Sequence, residues 1–501
     1  MSDPPAIRPG EATDGVWPQP LLDRLEAGGD RPVFEDGDVV TTAAELSAMV
    51  RRTARGLRLR GIGPGDGVAL AVGVDAPGLA AVLASFAVGA RVSGLRPELT
   101  TAQVEFVCER DEAVLVDDAV VAELAATPDD GVPLRASGRV ADVARIVNTS
   151  GSTGNPKGCC QTYGAMSRSW GPYPDRWPPA VRELASRLRR YLVFGSLSSQ
   201  VMLEYAVLTL TAGGTLVAAH PPGFPGAVVR HRATASVITV GKLHQLVLAQ
   251  RADPADLSGL EALLVSGSPL EPGRLAQALD VLGPVVFHGY GQTETGMIAM
   301  ATPEEMLASP GTMATVGRPP AEVDVSVRDG ELYVRTPSQA CCYRGDEDET
   351  AAVFVDGWVR TRDLAEVDDD GYLRLLGRVR DVVIVDANLV YAGPVERVLA
   401  AAPGVAEAYV VGRPDDRTGE AVHAFVVPLP GCRPDLEGLR RAVTDRLGRG
   451  ATPATVTVID RVPVSASGKP DKSALRSPQV VDSLRLVPPG PRERQIPGTI
   501  R

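Results

Sequence analysis

The sequence predicts an α/β protein: a large N-terminal domain of parallel α/β sheets with a small β-barrel, then a small α/β C-terminal domain. Three observations predict it. From Val68 to His288, short apolar runs alternate with segments of helical length, the pattern of strands buried on both faces between helices. After about Val316 the runs shorten and Asp-Gly turns separate them, which suits an antiparallel sheet or small barrel. After Asp381 the alternation resumes for roughly a hundred residues, a normal size for one compact domain. We divide the chain into residues 1–380, residues 382–476 and a tail, 477–501, whose Pro and Arg content is that of a disordered segment.

Residues 1 to about 20 are rich in Pro, Gly and Asp and read as loose. Thr41 to Leu59 carries apolar residues at helical spacing, with Thr41 or Thr42 as N-cap. Gly61 to Asp66 is a turn, Val68 to Val74 a strand and Gly78 to Gly89 a helix. Strands follow at Ala113–Val116 and Val143–Val147, then at Tyr191–Leu197, with a helix over Val201–Thr211. Thr215–Ala218, Ser236–Val240, Ala262–Val265 and Val285–His288 continue the parallel set. Val323–Val327, Glu331–Thr336 and Tyr372–Leu376 are short strands around the turns Asp329-Gly330 and Asp370-Gly371. The last domain reads as a strand at Val382–Val385, a helix at Pro394–Ala402, strands at Ala406–Val411 and Val422–Val427, and a helix at Leu436–Leu447.

Apolar residues make up 44% and charged residues 23%, the proportions of a soluble globular protein. A formal net charge of −11 argues against a nucleic-acid partner, because a phosphate backbone is held by cations. Met1-Ser-Asp-Pro-Pro5 has neither the basic start nor the apolar core of a signal peptide. The most apolar region, Val68 to Leu95, is broken by Asp75, Pro77 and Arg91, so no membrane span is expected. The six cysteines form no C-x-x-C pattern; a reduced, cytoplasmic setting is expected.

Four segments carry chemistry. Asn148 to Gly158 is a Gly/Ser/Thr loop after an apolar strand. Gly151, Gly154 and Gly158 let backbone N–H groups turn inward, Thr149, Ser150, Ser152 and Thr153 add hydroxyls, and Lys157 adds a mobile charge. Together they suit a polyphosphate, although Pro156 departs from the P-loop spacing and plain surface turns share this composition. The chain's only lysines are 157, 242, 469 and 472, so this loop keeps a residue type the sequence otherwise avoids. His288-Gly-Tyr-Gly-Gln-Thr-Glu-Thr-Gly296 follows a strand, where open α/β sheets bind ligands. There Gly289 and Gly291 permit close approach, Thr293 offers a hydroxyl, and Glu294 a hard oxygen for Mg²⁺. In Thr361-Arg-Asp-Leu364, Asp363 can accept from both hydroxyls of a ribose, and Arg378 in Gly377–Asp381 can donate to the sugar or a phosphate. Each alone reads more readily as a surface ion pair. In Val464–Lys472, Gly468 makes a turn that projects Lys469.

Taken together, the four segments occur in the order and spacing of one family. The chain resembles the acyl-adenylate-forming enzymes, which include acyl- and aryl-CoA ligases, firefly luciferase and the adenylation domains of peptide synthetases, over roughly Pro32 to Leu475. The resemblance implies the luciferase-like fold, with a C-terminal domain hinged at Asp381. It implies that ATP, Mg²⁺ and coenzyme A take part, and that a small carboxylic acid or acyl-adenylate is the substrate. Thr149 to Gly158 matches the phosphate loop. Gly267, Ser268 and Pro269 lie where the family has its adenine wall, and Tyr290 to Glu294 match the adenine and magnesium segment, with Gln292 inside it. Thr361 to Leu364 resembles Thr-Gly-Asp-Leu with Arg362 for glycine, and Ser465 to Lys472 the catalytic-lysine loop. By resemblance Lys469, Glu294 and Thr293 are catalytic, Glu294 binds the metal, and Asp363 and Arg378 fix the ribose. A thiol, usually of coenzyme A, then takes the acyl group.

Two departures bear on the second half-reaction and on the substrate. Many relatives read Gly-Gly beyond the hinge, in a loop lining the thiol channel; here Asp386-Ala387 stands. Relatives often carry a histidine after the strand at Tyr191–Leu197; here the run is Gly195-Ser-Leu-Ser-Ser-Gln200, which implies an unusual acyl pocket. The leading expectation is an acid:CoA ligase. Its variants perform one half-reaction or transfer the acyl group to a carrier protein or an amine; the alternative class is a non-catalytic nucleotide-binding protein. The arginine-rich composition suggests a high-GC bacterial source and specialised metabolism.

Overall fold

The computed structural model describes residues 15–97, 99–149, 157–170, 177–221, 223–267, 270–386, 388–464 and 470–484, the side chains of 149, 380, 478 and 482 excepted. The chain divides into two compact units, Met1–Leu376 and Gly377–Arg501.

The first unit holds three sheets. The largest has eight strands in the order Gly296–Ala301, Val286–Gln292, Ala262–Ser266, Ala235–Thr239, Arg190–Val193, Thr215–Ala218, Pro32–Asp36 and Val39–Thr42. Its interior pairs are parallel and only the two edge pairs are antiparallel. The second has six strands: Cys342–Tyr343, Lys157–Thr162, Val143–Thr149, Arg91–Gly94, Gly67–Ala71 and Ala113–Asp117. The central strands read as apolar runs because helices cover both faces and neither side meets water. Ala262–Val265 and Gly67–Leu70 are buried residue after residue. The antiparallel layer expected after Val316 is a five-stranded sheet in which Trp358–Val367 pairs with Glu331–Arg335, Phe354–Val355 and Leu373–Arg378.

Local signals set the helix starts. Thr42 caps Ala43–Leu59 through a capping box with Glu45, and Asp75 caps Ala76–Ala87 by accepting from Gly78 N at 2.7 Å. One N-terminal expectation is corrected. Residues 15–20 are not loose: Trp17 is fully buried, edge-on to Phe86 and Trp170, at the start of a helix over Gln19–Ala27.

In the second unit, strands Asn388–Tyr391, Val382–Val385, Gly419–Pro428 and Val405–Asp415 pair in that order, with Thr455–Val458 parallel to Gly419–Pro428. Helices Ala392–Ala400 and Leu436–Leu447 pack on it through Val395, Leu399, Leu439 and Val443. The tail is also corrected in part. Pro478–Leu484 is a helix, and Val481 joins a core with Phe425, Ile459 and Leu475. No helix among the described residues is long and apolar enough to cross a membrane.

Candidate active site

Strand Val143–Thr149 pairs antiparallel with Lys157–Thr162, Thr149 opposite Lys157. The two strands bracket the glycine-rich segment; Ser150, Gly151, Ser152 and Thr153 lie outside the described residues, as do Ser268, Pro269 and Lys469. Gly267 is described, with φ +92° at the end of strand Ala262–Ser266.

The Tyr290 segment is not a loop after a strand, as its sequence suggests. It is the strand itself: Val286–Gln292 runs on and pairs antiparallel with Gly296–Ala301, leaving Thr293 and Glu294 in the turn, both partly exposed. This gives the glycines a packing reason. A Cβ at Gly291 would sit 2.3 Å from the Gly296 carbonyl oxygen, and one at Gly289 would press on Leu264 and Met297. The turn is braced from outside, where Thr336 Oγ1 donates to Thr295 O at 2.6 Å and Ala340 N to Glu294 O at 2.9 Å.

Asp363 is buried on strand Trp358–Val367, and its Oδ2 accepts from Tyr290 Oη at 2.5 Å and from Gln292 Nε2 at 2.6 Å. Gln292 Nε2 also donates to Thr361 O at 3.0 Å, so the second and third segments are joined by side-chain hydrogen bonds. Glu294 Oε1 accepts from Tyr343 Oη at 2.5 Å. Burial, then the charge of Glu294, pushes the Tyr343 phenol above its usual range, so it stays a donor. The Lys157 ammonium lies 5.7 Å from the centre of the Tyr343 ring, 3.3 Å from Glu349 Oε1 and 3.4 Å from Asp346 Oδ2. Arg362 grips the same Glu349 with two bonds of 2.9 and 3.0 Å. That fork holds the Glu349 carboxyl below its ordinary range, with Lys157 adding to the effect.

Arg362 explains one departure from the family pattern. Its φ is +57°, the left-handed region where glycine is ordinarily found, so the backbone turn survives and the side chain gains a carboxylate partner. The side chains form two sets, Lys157–Tyr343–Glu294 with Glu349 and Arg362, and Tyr290–Gln292–Asp363. The backbone brings the two together, since Arg362 directly precedes Asp363 on one strand and Gln292 lies two residues before Glu294. Tyr343, Asp346 and Glu349 carry no signal in the sequence. Tyr343 stands on a two-residue strand 49 positions from Glu294.

In the second unit, Lys472 Nζ reaches Asp381 Oδ2 at 2.8 Å and Glu396 Oε1 at 2.7 Å. One of the two scarce C-terminal lysines thus holds Asp381 to the half-buried Glu396. Arg378 closes strand Leu373–Arg378 ahead of it. Asp386 adopts φ +49°, again a glycine-like conformation occupied by another residue.

The model of the AMP-binding enzymes matches residues 22–344, and that of their C-terminal domain residues 394–469. The chain belongs to the AMP-binding, acyl-adenylate-forming enzymes. It is 32% identical to a feruloyl-CoA synthase of Amycolatopsis over 92% of this chain and 98% of that one. Among solved structures it is similar to the amide bond synthetase McbA of Marinactinospora thermotolerans, with TM-score 0.81, 32% identity, and 91% and 98% of the two chains covered. It is also similar to the o-succinylbenzoate CoA synthetase of Bacillus subtilis in complex with its acyl-adenylate, with TM-score 0.78, 26% identity, and 91% and 97% covered. These relatives give this AMP-binding enzyme its fold and the coarse chemistry of an acid ligase.

Proposed function

We propose that this enzyme uses ATP to activate an aryl or related carboxylic acid as its acyl-adenylate and passes the acyl group to coenzyme A. The observation that carries the reading is the pair of clusters Lys157–Tyr343–Glu294 and Tyr290–Gln292–Asp363, set beside one another by the chain neighbours Gln292 and Glu294 and by Arg362 and Asp363. A carboxylate oxygen attacks the α-phosphorus of ATP and pyrophosphate leaves. Two anions meet in that step, so the site's task is to neutralise charge where it develops.

Within this reading Asp363, held by Tyr290 and Gln292, offers a fixed acceptor to ribose hydroxyls. Lys157 is balanced between Glu349 and Asp346 and supplies positive charge to phosphate oxygens. Glu294 is a hard, partly exposed carboxylate oriented by Tyr343, a donor of the kind Mg²⁺ takes. The metal, when bound, neutralises phosphate charge. By resemblance Lys469 meets the attacking carboxylate and Arg378 the sugar.

The adenylate is a mixed anhydride, and a thiol or an amine can open it with release of AMP. The relatives support both, since one bears the name of a CoA synthase and another that of an amide bond synthetase. A second reading, transfer to an amine, is favoured by Asp386. It adds a carboxylate where relatives carry glycine on the thiol-channel loop, which disfavours the anionic coenzyme.

Acid-dependent exchange of pyrophosphate into ATP, followed by mass spectrometry of products with coenzyme A or an amine panel, tests the reading. Acyl-CoA supports the first acceptor and amide the second. No exchange with any acid would overturn adenylation. Asp386→Gly is expected to relieve about 1 kcal/mol of left-handed strain and raise turnover with coenzyme A. An unchanged rate would remove the carboxylate as an obstacle.

A further inference from the structure

The ribbon that carries Lys157 and Tyr343 also gathers cysteines. Cys160 on strand Lys157–Thr162 pairs directly across from Cys342, and Cys159 from Tyr343. Cys341 Sγ lies 3.5 Å from Cys342 Sγ, and Cys341 N donates to Cys160 O at 2.8 Å. All these thiols are free; Cys160 is buried, Cys342 half-buried and Cys341 exposed. Interaction with the neighbouring Cys160 and Cys341 thiols, with Arg344 nearby, holds the Cys342 thiol below its ordinary range and favours its thiolate. A thiolate is the form that reacts with oxidants.

Geometry selects its partner. Residues paired across antiparallel strands have Cα atoms about 4.5–5.5 Å apart, inside the range of about 4.4–6.8 Å that a disulfide spans. Adjacent residues such as Cys341 and Cys342 are held about 3.8 Å apart by the trans peptide, below that range.

We propose that Cys342 is a redox-modification site: a hydroperoxide converts its thiolate to a sulfenic acid, and Cys160 closes a cross-strand disulfide. In the first step the Cys342 sulfur bonds one peroxide oxygen, the O–O bond breaks, and the alkoxide or hydroxide leaves and takes a proton from water. In the second, the Cys160 sulfur attacks the sulfenic sulfur, the S–O bond breaks, and hydroxide leaves with the thiol proton as water. The two thiols lose two electrons and two protons, and the peroxide is reduced. A dithiol reductant reverses the bond by exchange.

The position gives the modification a consequence. Lys157 lies three residues before Cys160 and Tyr343 directly follows Cys342, so the bond clamps the ribbon holding both. This consequence rests on the ATP reading above; the modification itself does not.

The test treats the full chain with hydrogen peroxide and maps it by mass spectrometry without reduction. The expected result is a loss of about 2 Da, two hydrogens, with the Cys160 and Cys342 peptides linked. The link is absent in Cys342→Ser and retained in Cys341→Ser. Cys160→Ala should leave a sulfenic acid at Cys342 that dimedone traps. Linkage of Cys341 to Cys342, oxygen addition without a crosslink in the parent, or a crosslink surviving in Cys342→Ser would overturn the proposal. ATP is expected to bind the oxidised protein more weakly, with recovery in dithiothreitol. Should the reduced protein bind no ATP, the nucleotide reading fails while the mapped disulfide stands.

Discussion

Replacing Asp363 by asparagine separates charge from shape at the nucleotide site. The carboxylate accepts from Tyr290 Oη at 2.5 Å and Gln292 Nε2 at 2.6 Å, both on Oδ2. An asparagine oxygen can occupy that place, so both donors keep an acceptor and the strand keeps its register. What changes is the strength of each bond. Hydrogen bonds to a charged acceptor contribute about 1.5–3 kcal/mol and neutral ones about 0.5–1.5, so two such bonds lose about 2 kcal/mol together. The same loss of charge weakens acceptance from ribose hydroxyls by about 1–2 kcal/mol, or roughly five- to thirtyfold in ATP affinity. Denaturant unfolding reads the first quantity and calorimetric ATP titration the second. Tyr290→Phe serves as the control, since it removes one donor, lowers stability and leaves the carboxylate charge in place. A folded Asp363→Asn protein that binds ATP within a factor of two of the parent would refute the assignment.

Arg362→Gly sets two small effects against each other. Glycine relieves about 1 kcal/mol of left-handed strain and removes a half-exposed fork to Glu349 of about the same size, so stability should change by less than about 1 kcal/mol. Glu349 then holds Lys157 alone and ATP affinity should fall; a tighter complex in titration would contradict this. Lys472→Met leaves Asp381 and Glu396 without their shared cation, which is expected to cost about 3 kcal/mol in chemical denaturation at neutral pH and less in acid, where Glu396, its pKa raised by burial, takes up a proton. A neutral effect would show the Lys472 pairing to be incidental. Burial holds the His288 imidazole down to about pKa 4. The unfolded chain therefore binds this proton first, and the stability it contributes is complete above about pH 6.5 and lost as pH falls toward 4. His288→Gln should flatten that part of the stability profile, by up to about 3 kcal/mol; parallel profiles for variant and parent would show that the residue does not titrate as described.

The parallel sheets were legible because strands buried on both faces must be continuously apolar, as Ala262–Val265 is. The strand Trp358–Val367 was not. Its inward positions include Thr361 and Asp363, polar residues that belong to the site, so the alternation that marks a half-buried strand is broken where function intrudes. Val286–Gln292 reads as ending at His288 for a similar reason: Gly289 and Gly291 imitate a turn, yet they are there so that two strands can approach. Lysine scarcity pointed to two segments but could not divide the roles within them. Lys157 joins the site network, and Lys472 pairs with two carboxylates inside the second unit. Tyr343 was invisible because its meaning lies in a contact with Glu294 that only the assembled sheets create.

A crystal structure with bound ATP tests most directly whether one nucleotide meets all three segments. The expected result places ribose hydroxyls in hydrogen-bond contact with Asp363, the adenine against Tyr290 and phosphate oxygens beside Lys157. ATP bound elsewhere, with no ribose hydroxyl on Asp363, would contradict it.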